Sequence, residues 1–214
     1  DEVPSRGLGD VYKRQSYHKK NLKEKLVEVA WNICVAESWE KVNMREVAKK
    51  AKVSNTAFYR HLKNKTDLKA ELMRKGFKIL NEGMKNINNN FSSYGAHYIR
   101  FGLKYPHIYD LMFGNIDFDI SLYHDLEALF DEAFDGVIQG VKTFIPDASD
   151  KDVMIKAVNI WASVHGLVGI LRRSDLQANK DKRLKWIKNN LEEYLKMTTC
   201  LLYTSPSPRD GTSS

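Results

Sequence analysis

Residues 42–68 read VNMREVAKKAKVSNTAFYRHLKNKTDL and hold the strongest local signals in the chain. Asn43 and Ser54 each precede a short run with helical spacing. Both residue types are preferred just before a helix, because their side chains accept hydrogen bonds from its free N–H groups. They predict helices over 44–51 and 55–61, with a turn at 52–54. Two short helices joined by such a turn have the arrangement of a helix-turn-helix.

The third helix carries a polar face that packing alone does not need. Val53 and Phe58 are available to pack inward, whereas the polar or amphipathic side chains would face outward: Asn55, Thr56, Tyr59, Arg60 and His61. A corner of any helical bundle can also hold two short helices at this spacing. In a DNA major groove, however, Asn and Arg read base edges while Tyr, Thr and His bind phosphates. The residue types therefore favour DNA binding.

Residues 42–68 as a whole resemble the DNA-binding signature of the TetR family of bacterial transcription regulators. The most diagnostic matches are Val47-Ala48, Ala51, Val53-Ser54, Tyr59-Arg60-His61, Lys65 and Leu68. The resemblance implies that Tyr59 and Lys65 hold the DNA backbone. A lysine beside a helix N-terminus also suits a phosphate on physical grounds, since it joins a cation to N–H donors.

The sequence departs from the family pattern at three positions. Lys52 stands where glycine is common, a second glycine that is usual near Ser38 is absent, and Leu62 replaces the usual aromatic residue. A lysine at a left-handed turn position would cost on the order of 1 kcal/mol. The residues predicted to contact DNA are Asn43, Arg45, Ser54, Asn55, Thr56, Tyr59, Arg60, His61 and Lys65.

Apolar residues recur every three to four positions through the rest of the chain, which predicts an all-α protein. We expect about nine helices, namely 21–37, 44–51, 55–61, a fourth from just after 64–66 to about 87, then 91–104, 106–113, 122–144, 150–173 and 181–197. A three-helix DNA-binding head is predicted over 16–65. A helical domain for ligand binding and dimerisation is predicted over 66–199.

The two ends of the chain differ from this pattern. Residues 1–15 (DEVPSRGLGDVYKRQ) and 200–214 (CLLYTSPSPRDGTSS) lack helical periodicity and are rich in Gly, Pro and Ser. Both resemble translated adapter or vector sequence. We expect these segments to be disordered and exclude them from reasoning about the fold.

Charge is unevenly distributed along the chain, whose net charge is +7. Residues 19–75 hold 15 Lys/Arg against 7 Asp/Glu, and residues 110–152 hold 2 Lys against 11 Asp/Glu. A basic head followed by an acidic middle suits a nucleic-acid partner for the head. Solvated helix faces would explain any one segment, but they explain the contrast less well.

Composition and cysteine use indicate a cytoplasmic protein. Hydrophobic residues make up 43% and charged residues 29% of the chain, and no unbroken apolar run approaches the length of a membrane span. We therefore predict no membrane association. Cys34 and Cys200 are far apart and match no metal-ligand spacing, so neither a disulfide nor a metal site is assigned.

Tyr94, Tyr98, Phe101 and Tyr105 fall on one face of the fifth helix. They form either an aromatic core or the wall of a ligand cavity, and the two are compatible. Residues 98–113 and the run WASVHG at 161–166 resemble the WHG type of TetR C-terminal domain. The residues predicted to bind a small-molecule effector are Tyr98, Phe101, Tyr105, Met112, Trp161 and His165. A lone helical His such as His165 is also compatible with a satisfied core position.

The last two predicted helices carry apolar stripes. The helix at 150–173 combines them with small residues, including Gly166 and Gly169, and the last helix has Leu184, Ile187, Leu191 and Leu195. The family resemblance implies that these two helices form a four-helix interface in a homodimer.

No catalytic motif is present: the chain has no G-x-S-x-G, no P-loop and no dinucleotide fingerprint. We predict a DNA-binding regulator without enzymatic activity or cofactor, acting as a repressor that a small molecule releases. The alternative is a helical interaction protein that never touches DNA.

Overall fold

The computed structural model describes residues 8–85, 91–114, 118–173 and 181–203, with side chains described over 22–198 of these ranges. The predicted disorder of 1–7 and 204–214, and the predicted end of the fourth helix at 86–90, lie outside the described residues. Within the described ranges every regular element is helical, which confirms the all-α prediction. The helices are α1 (Leu8–Ala36), α2 (Met44–Lys50), α3 (Asn55–Tyr59), α4 (Lys65–Lys85), α5 (Phe91–Lys104), α6 (Pro106–Phe113), α7 (His124–Phe144), α8 (Asp150–Arg172), α9 (Lys182–Asn189) and α10 (Leu191–Tyr203), with a 3₁₀ turn at Ile120–Leu122.

Most helix boundaries lie within two residues of the prediction, and the largest differences are at the two ends of the chain. Helix α1 begins at Leu8 rather than at residue 21, and α10 continues to Tyr203, so both extend into the end segments. A helix that has already nucleated lengthens at little cost through residues without proline. Helix α3 is shorter than predicted and ends at Tyr59.

The predicted last helix is interrupted at Asn190, which makes ten α-helices in the described ranges instead of nine. The backbone N–H of Asn190 bonds to Trp186 and Ile187, and its side-chain amide donates to the Trp186 carbonyl at 2.8 Å. An asparagine side chain competes with the helix for backbone partners in this way. Helix α10 then restarts at Leu191.

The chain divides into two compact units, and the boundaries between them lie within the predicted C-terminal domain at 66–199. Unit 1 comprises Asp1–Gly76 and His107–Asp119, and unit 2 comprises Phe77–Pro106 and Ile120–Ser214. The first half of α4 and most of α6 thus belong to the unit that holds α2 and α3.

Unit 1 has its own apolar core. Its buried side chains come from α1, α2, α3, α4 and α6 and from the segments between them, and include Leu26, Ala30, Val47, Phe58, Leu68, Leu72 and Ile108. The buried faces of α2 and α3 are those that sequence periodicity predicts.

In unit 2, α8 packs against α5 and α7, and α10 packs against α5. One core cluster joins α7 to α8 through Val137, Val141, Val153, Ala157 and Ile160. Helix α8 is capped by Ser149, whose Oγ accepts a hydrogen bond from the Asp152 N–H at 3.2 Å.

Helix α8 is long and apolar enough to cross a membrane by length and composition alone. The prediction of no membrane association rests on the absence of long unbroken apolar runs, and a single helix of this kind is weak evidence against it. Core helices of soluble proteins meet the same condition. Seven α8 side chains are buried within the protein, among them Val153, Val164 and Val168.

Candidate functional site

Helices α2 and α3 are fixed at their N-termini by the two residues that the sequence indicates. The Asn43 Oδ1 accepts from the Arg45 N–H at 2.9 Å, and the Ser54 Oγ accepts from the Ala57 N–H at 3.1 Å. These bonds engage the side-chain oxygens of two residues that the sequence predicts to contact DNA. Asn43 thus caps α2 and Ser54 caps α3, which is a positioning role for both side chains.

The turn between α2 and α3 adopts the left-handed conformation at Lys52, where φ is 58°. The Val53 N–H reaches back to the Ala48 carbonyl at 3.0 Å, which closes the end of α2 in the way typical of a left-handed cap. The turn thus keeps the geometry that glycine favours, and the lysine bears the strain.

We predict that Lys52→Gly raises the free energy of unfolding by up to about 1 kcal/mol. The left-handed region costs a residue with a Cβ about 1–2 kcal/mol, and the greater freedom of glycine in the unfolded chain offsets part of the gain. Urea unfolding followed by circular dichroism measures the difference. Lys49→Gly, inside α2, is the control and should lose about 1 kcal/mol. Equal losses in both variants would contradict the strained conformation.

Helix α3 exposes the side chains that were predicted to read DNA. Phe58 is 1% exposed, while Tyr59 is 46% exposed and Asn55, Thr56 and Arg60 are exposed as well. Phe58 contacts the Tyr59 ring edge-on, with ring centroids 5.5 Å apart. The buried ring anchors the helix, so the opposite side of α3 is free to enter a groove. His61 is only half-buried and follows the helix.

Lys65 is the first residue of α4 and is exposed. The preceding Asn64 caps this helix, since its Oδ1 accepts from the Asp67 N–H at 2.7 Å. The Asp67 carboxylate in turn accepts from the Lys63 N–H at 3.0 Å. This reciprocal capping fixes the start of α4 and with it the origin of the Lys65 side chain.

Sequence reasoning missed Trp39 at this surface. The Lys65 ammonium lies over its indole ring, with Nζ 5.0 Å from the centroid. Trp39 lies in the loop between α1 and α2, far from Lys65 along the chain, so no local spacing links the two residues.

Three of the six predicted effector residues, Tyr98, Trp161 and His165, form a cluster in unit 2. The Tyr98 hydroxyl and the His165 Nδ1 are hydrogen-bonded at 2.7 Å, and the His165 ring lies 5.3 Å from that of Trp161. Phe130 and Phe134 of α7 contact Trp161 edge-on. Neither Phe130 nor Phe134 was predicted to bind an effector, although their four-residue spacing places both on one face of α7.

The other three predicted effector residues, Phe101, Tyr105 and Met112, make their contacts elsewhere. Phe101 and Tyr105 contact each other in unit 2, with ring centroids 5.5 Å apart. Met112 belongs to unit 1, where its sulfur lies against Gly76. The aromatic periodicity of α5 did not indicate that α6 belongs to a different unit.

Burial lowers the pKa of two histidines in unit 2. Desolvation is the cause at His165. At His97 desolvation is the largest cause, Arg100 adds to it, and a hydrogen bond to the Leu80 backbone opposes it. Both imidazoles are therefore held in the neutral form more strongly in the folded protein than in the unfolded chain.

We predict that the free energy of unfolding falls as the pH drops from 7 to 5. The unfolded chain takes up protons near a His pKa of about 6.5, whereas folded His97 and His165 take them up only at lower pH, so acid favours unfolding. Urea titrations at several pH values measure this. His165→Gln should reduce the dependence. His124→Gln, which removes a histidine whose side chain is 93% exposed, is the control. Equal pH dependence in all three proteins would contradict the assignment.

Helix α8 has one apolar face that the described residues of unit 2 leave uncovered. Ile155, Val158 and Ile170 are 50%, 43% and 43% exposed, and a Cβ added at Gly166 or Gly169 would meet no neighbouring atom within 4 Å. Exposed apolar and small residues on one long helix are typical of a helix–helix interface.

Two of the four apolar residues predicted as a stripe on the last helix are buried within the chain. Leu191 and Leu195 are 2% and 6% exposed, and Leu195 packs against Gly95 of α5. These two residues are covered by their own chain, so the last helices would have to use other side chains in a homodimer, and that interface stays a prediction. Trp186 of α9 and Met197 of α10 are exposed apolar side chains, at 45% and 62%.

Two family models match the sequence and together cover about two-thirds of it. The model for bacterial regulatory proteins of the tetR family matches residues 26–72, and that for the tetracyclin repressor-like C-terminal domain matches residues 91–187. No curated protein matches the sequence.

Solved structures share the fold at low sequence identity. A protein of unknown function from Rhodococcus sp. RHA1 has a TM-score of 0.66 and 17% identity, covering 85% of this chain and 93% of that one. A transcriptional regulator from Aquifex aeolicus has a TM-score of 0.54 and 18% identity, covering 83% and 99%. A TetR-family regulator from Chloroflexus aurantiacus has a TM-score of 0.54 and 14% identity, covering 86% and 92%.

The helix-turn-helix of unit 1 and the family matches define a bacterial DNA-binding transcriptional regulator. The chain belongs to the TetR family.

Proposed function

We propose that this regulator binds an operator as a homodimer through α3 and represses transcription until a small molecule releases it. The observation that carries the proposal is the two-sided character of α3, with Phe58 buried and Asn55, Thr56, Tyr59 and Arg60 exposed. A five-residue helix with this exposed face suits insertion into the major groove.

The proposed DNA contacts fall into two groups. Asn55, Thr56 and Arg60 would reach base edges, since Asn55 and Thr56 form the exposed start of the recognition helix and exposed Arg60 directly follows its last residue. The remaining contacts would fix position on the backbone and involve Asn43, Arg45, Ser54, Tyr59, His61 and Lys65. Asn43 and Ser54 would act mainly through the helices they cap.

The proposed effector is a largely apolar or aromatic small molecule. The supporting feature is the cluster of Tyr98, Trp161 and His165, which combines aromatic rings with one hydrogen-bonded polar pair. Pockets of this composition orient an apolar ligand through a few polar groups. Binding would weaken DNA affinity by favouring a different spacing of the two heads.

The proposed dimer uses the uncovered face of α8, which two copies would share about a two-fold axis. Two heads on one dimer could then contact half-sites about one DNA turn apart. We place the protein in the cytoplasm, where its operator is.

A mobility shift tests the DNA-binding part of the proposal. The purified protein should retard DNA from upstream of its own gene at lower concentration than an unrelated duplex of equal length. Equal or absent binding to both duplexes would favour the alternative, a helical interaction protein that does not read DNA.

A ligand screen tests the effector part. A panel of hydrophobic small molecules should contain at least one that raises the melting temperature of the wild type and releases the operator. His165→Ala and Tyr98→Phe should reduce both responses. A panel that raises no melting temperature would argue against this site.

A further inference from the structure

Trp39 is placed to control the side chain proposed to hold a DNA phosphate. Its half-buried ring lies beneath the Lys65 ammonium, which is attracted to the electron-rich indole face. The reciprocal caps of Asn64 and Asp67 fix the backbone from which Lys65 extends. Both ends of the lysine side chain are therefore constrained before any DNA binds.

Glu40 offers the same ammonium a competing partner. The pKa of Glu40 is lowered, mainly by a hydrogen bond with the Ser38 side chain. The charges of Lys65 and His107 lower this pKa further. The carboxylate is thus ionised and electrostatically coupled to Lys65. Without the indole ring, it would attract the ammonium in competition with a phosphate.

We propose that Trp39 is a positioning residue that presents the Lys65 ammonium to a DNA phosphate. A lysine side chain carries about 2 kcal/mol of rotamer entropy, part of which is lost when it binds. The uncharged ring restrains the ammonium from one side and leaves donors on the other side for the phosphate. This inference rests on the proposed DNA-binding function and adds a residue outside the helix-turn-helix itself.

The surroundings of Trp39 suit a mutational test. The residue borders a cavity of about 370 Å³ within unit 1, whose lining includes Ser38, Glu40, His107 and Leu111. Its ring is therefore not enclosed in the core, and a smaller apolar side chain should be accepted by the fold.

The experiment is a double-mutant cycle between Trp39 and Lys65, measured by fluorescence anisotropy on a short random-sequence duplex at low salt. A random sequence suffices because a phosphate contact carries no sequence information. Trp39→Leu should weaken binding about two- to fivefold per head, the size of an exposed cation–π contact. Trp39→Phe, which keeps an aromatic face, should remain close to the wild type.

The decisive comparison uses Lys65→Met. In that background Trp39→Leu should have no further effect on affinity, whereas with the control Lys63→Met the two losses should add. If Trp39→Leu weakens binding equally with and without Lys65, the ring is only structural and the inference is overturned. If Lys65→Met alone leaves affinity unchanged, the proposed phosphate contact itself fails, which is a separate result.

Discussion

Gly166→Arg is expected to convert the protein into a folded monomer. In the described part of the chain, a Cβ at this position has no neighbouring side chain within 4 Å, so the arginine should not disturb the protomer. In a two-fold interface built on α8, however, the change places two arginines into one apolar contact. Uncompensated buried charge costs about 3–5 kcal/mol, which corresponds to a loss of dimer affinity of more than about a hundredfold.

Light scattering and analytical ultracentrifugation at micromolar concentration measure this outcome. The wild type should be a dimer and Gly166→Arg a monomer with the same helical content by circular dichroism. Gln139→Arg adds the same charge at an exposed position of α7 and should remain dimeric. A monomeric wild type, or a dimeric Gly166→Arg, would remove α8 as the interface.

The same variant connects dimerisation to DNA binding. A single head offers half of the phosphate and base contacts of a dimer, and affinity depends steeply on their number. Gly166→Arg should therefore lose operator binding although its α3 is unchanged. A monomer that retained full operator affinity would separate the two functions.

Helices α2 and α3 were predictable from sequence because their determinants are local. Asn43 and Ser54 cap the helices that they precede, and Phe58 faces the core where the periodicity placed it. Cap and burial signals act within a few residues, so a single sequence contains them. Even the departure at Lys52 was interpretable, because the left-handed turn is a property of the backbone at that site.

Features that depend on long-range packing could not be predicted in the same way. The apolar periodicity of Leu191 and Leu195 marks an inward face equally well for a partner chain and for α5, and α5 is what covers it. The contact of Lys65 with Trp39 joins the start of α4 to the loop after α1. Such pairings are set by the tertiary fold, and neither residue's neighbours encode them.

The recognition surface should separate into two classes of side chain when DNA affinity is measured against salt. Lys65→Ala should weaken binding to all sequences alike, by roughly tenfold per lost phosphate contact near 0.1 M salt and so about a hundredfold for a dimer. Its salt slope should fall by about one unit per contact. Tyr59→Phe should also act on all sequences. Among Asn55→Ala, Thr56→Ala and Arg60→Ala, at least one should relax preference at a particular base pair by roughly 1–3 kcal/mol.

The measurement is a salt titration of each variant on operator and scrambled duplexes. Lys63→Ala is the matched control for Lys65→Ala, because it removes an exposed lysine just before the start of α4. A residue whose variant loses affinity equally for both duplexes contacts the DNA backbone. A residue whose variant loses affinity only for the operator contacts a base edge. If Lys65→Ala kept the wild-type affinity and slope, and all three α3 variants bound like the wild type, α3 would not be the recognition helix. The exposed polar face of α3 would then have to serve a protein partner instead.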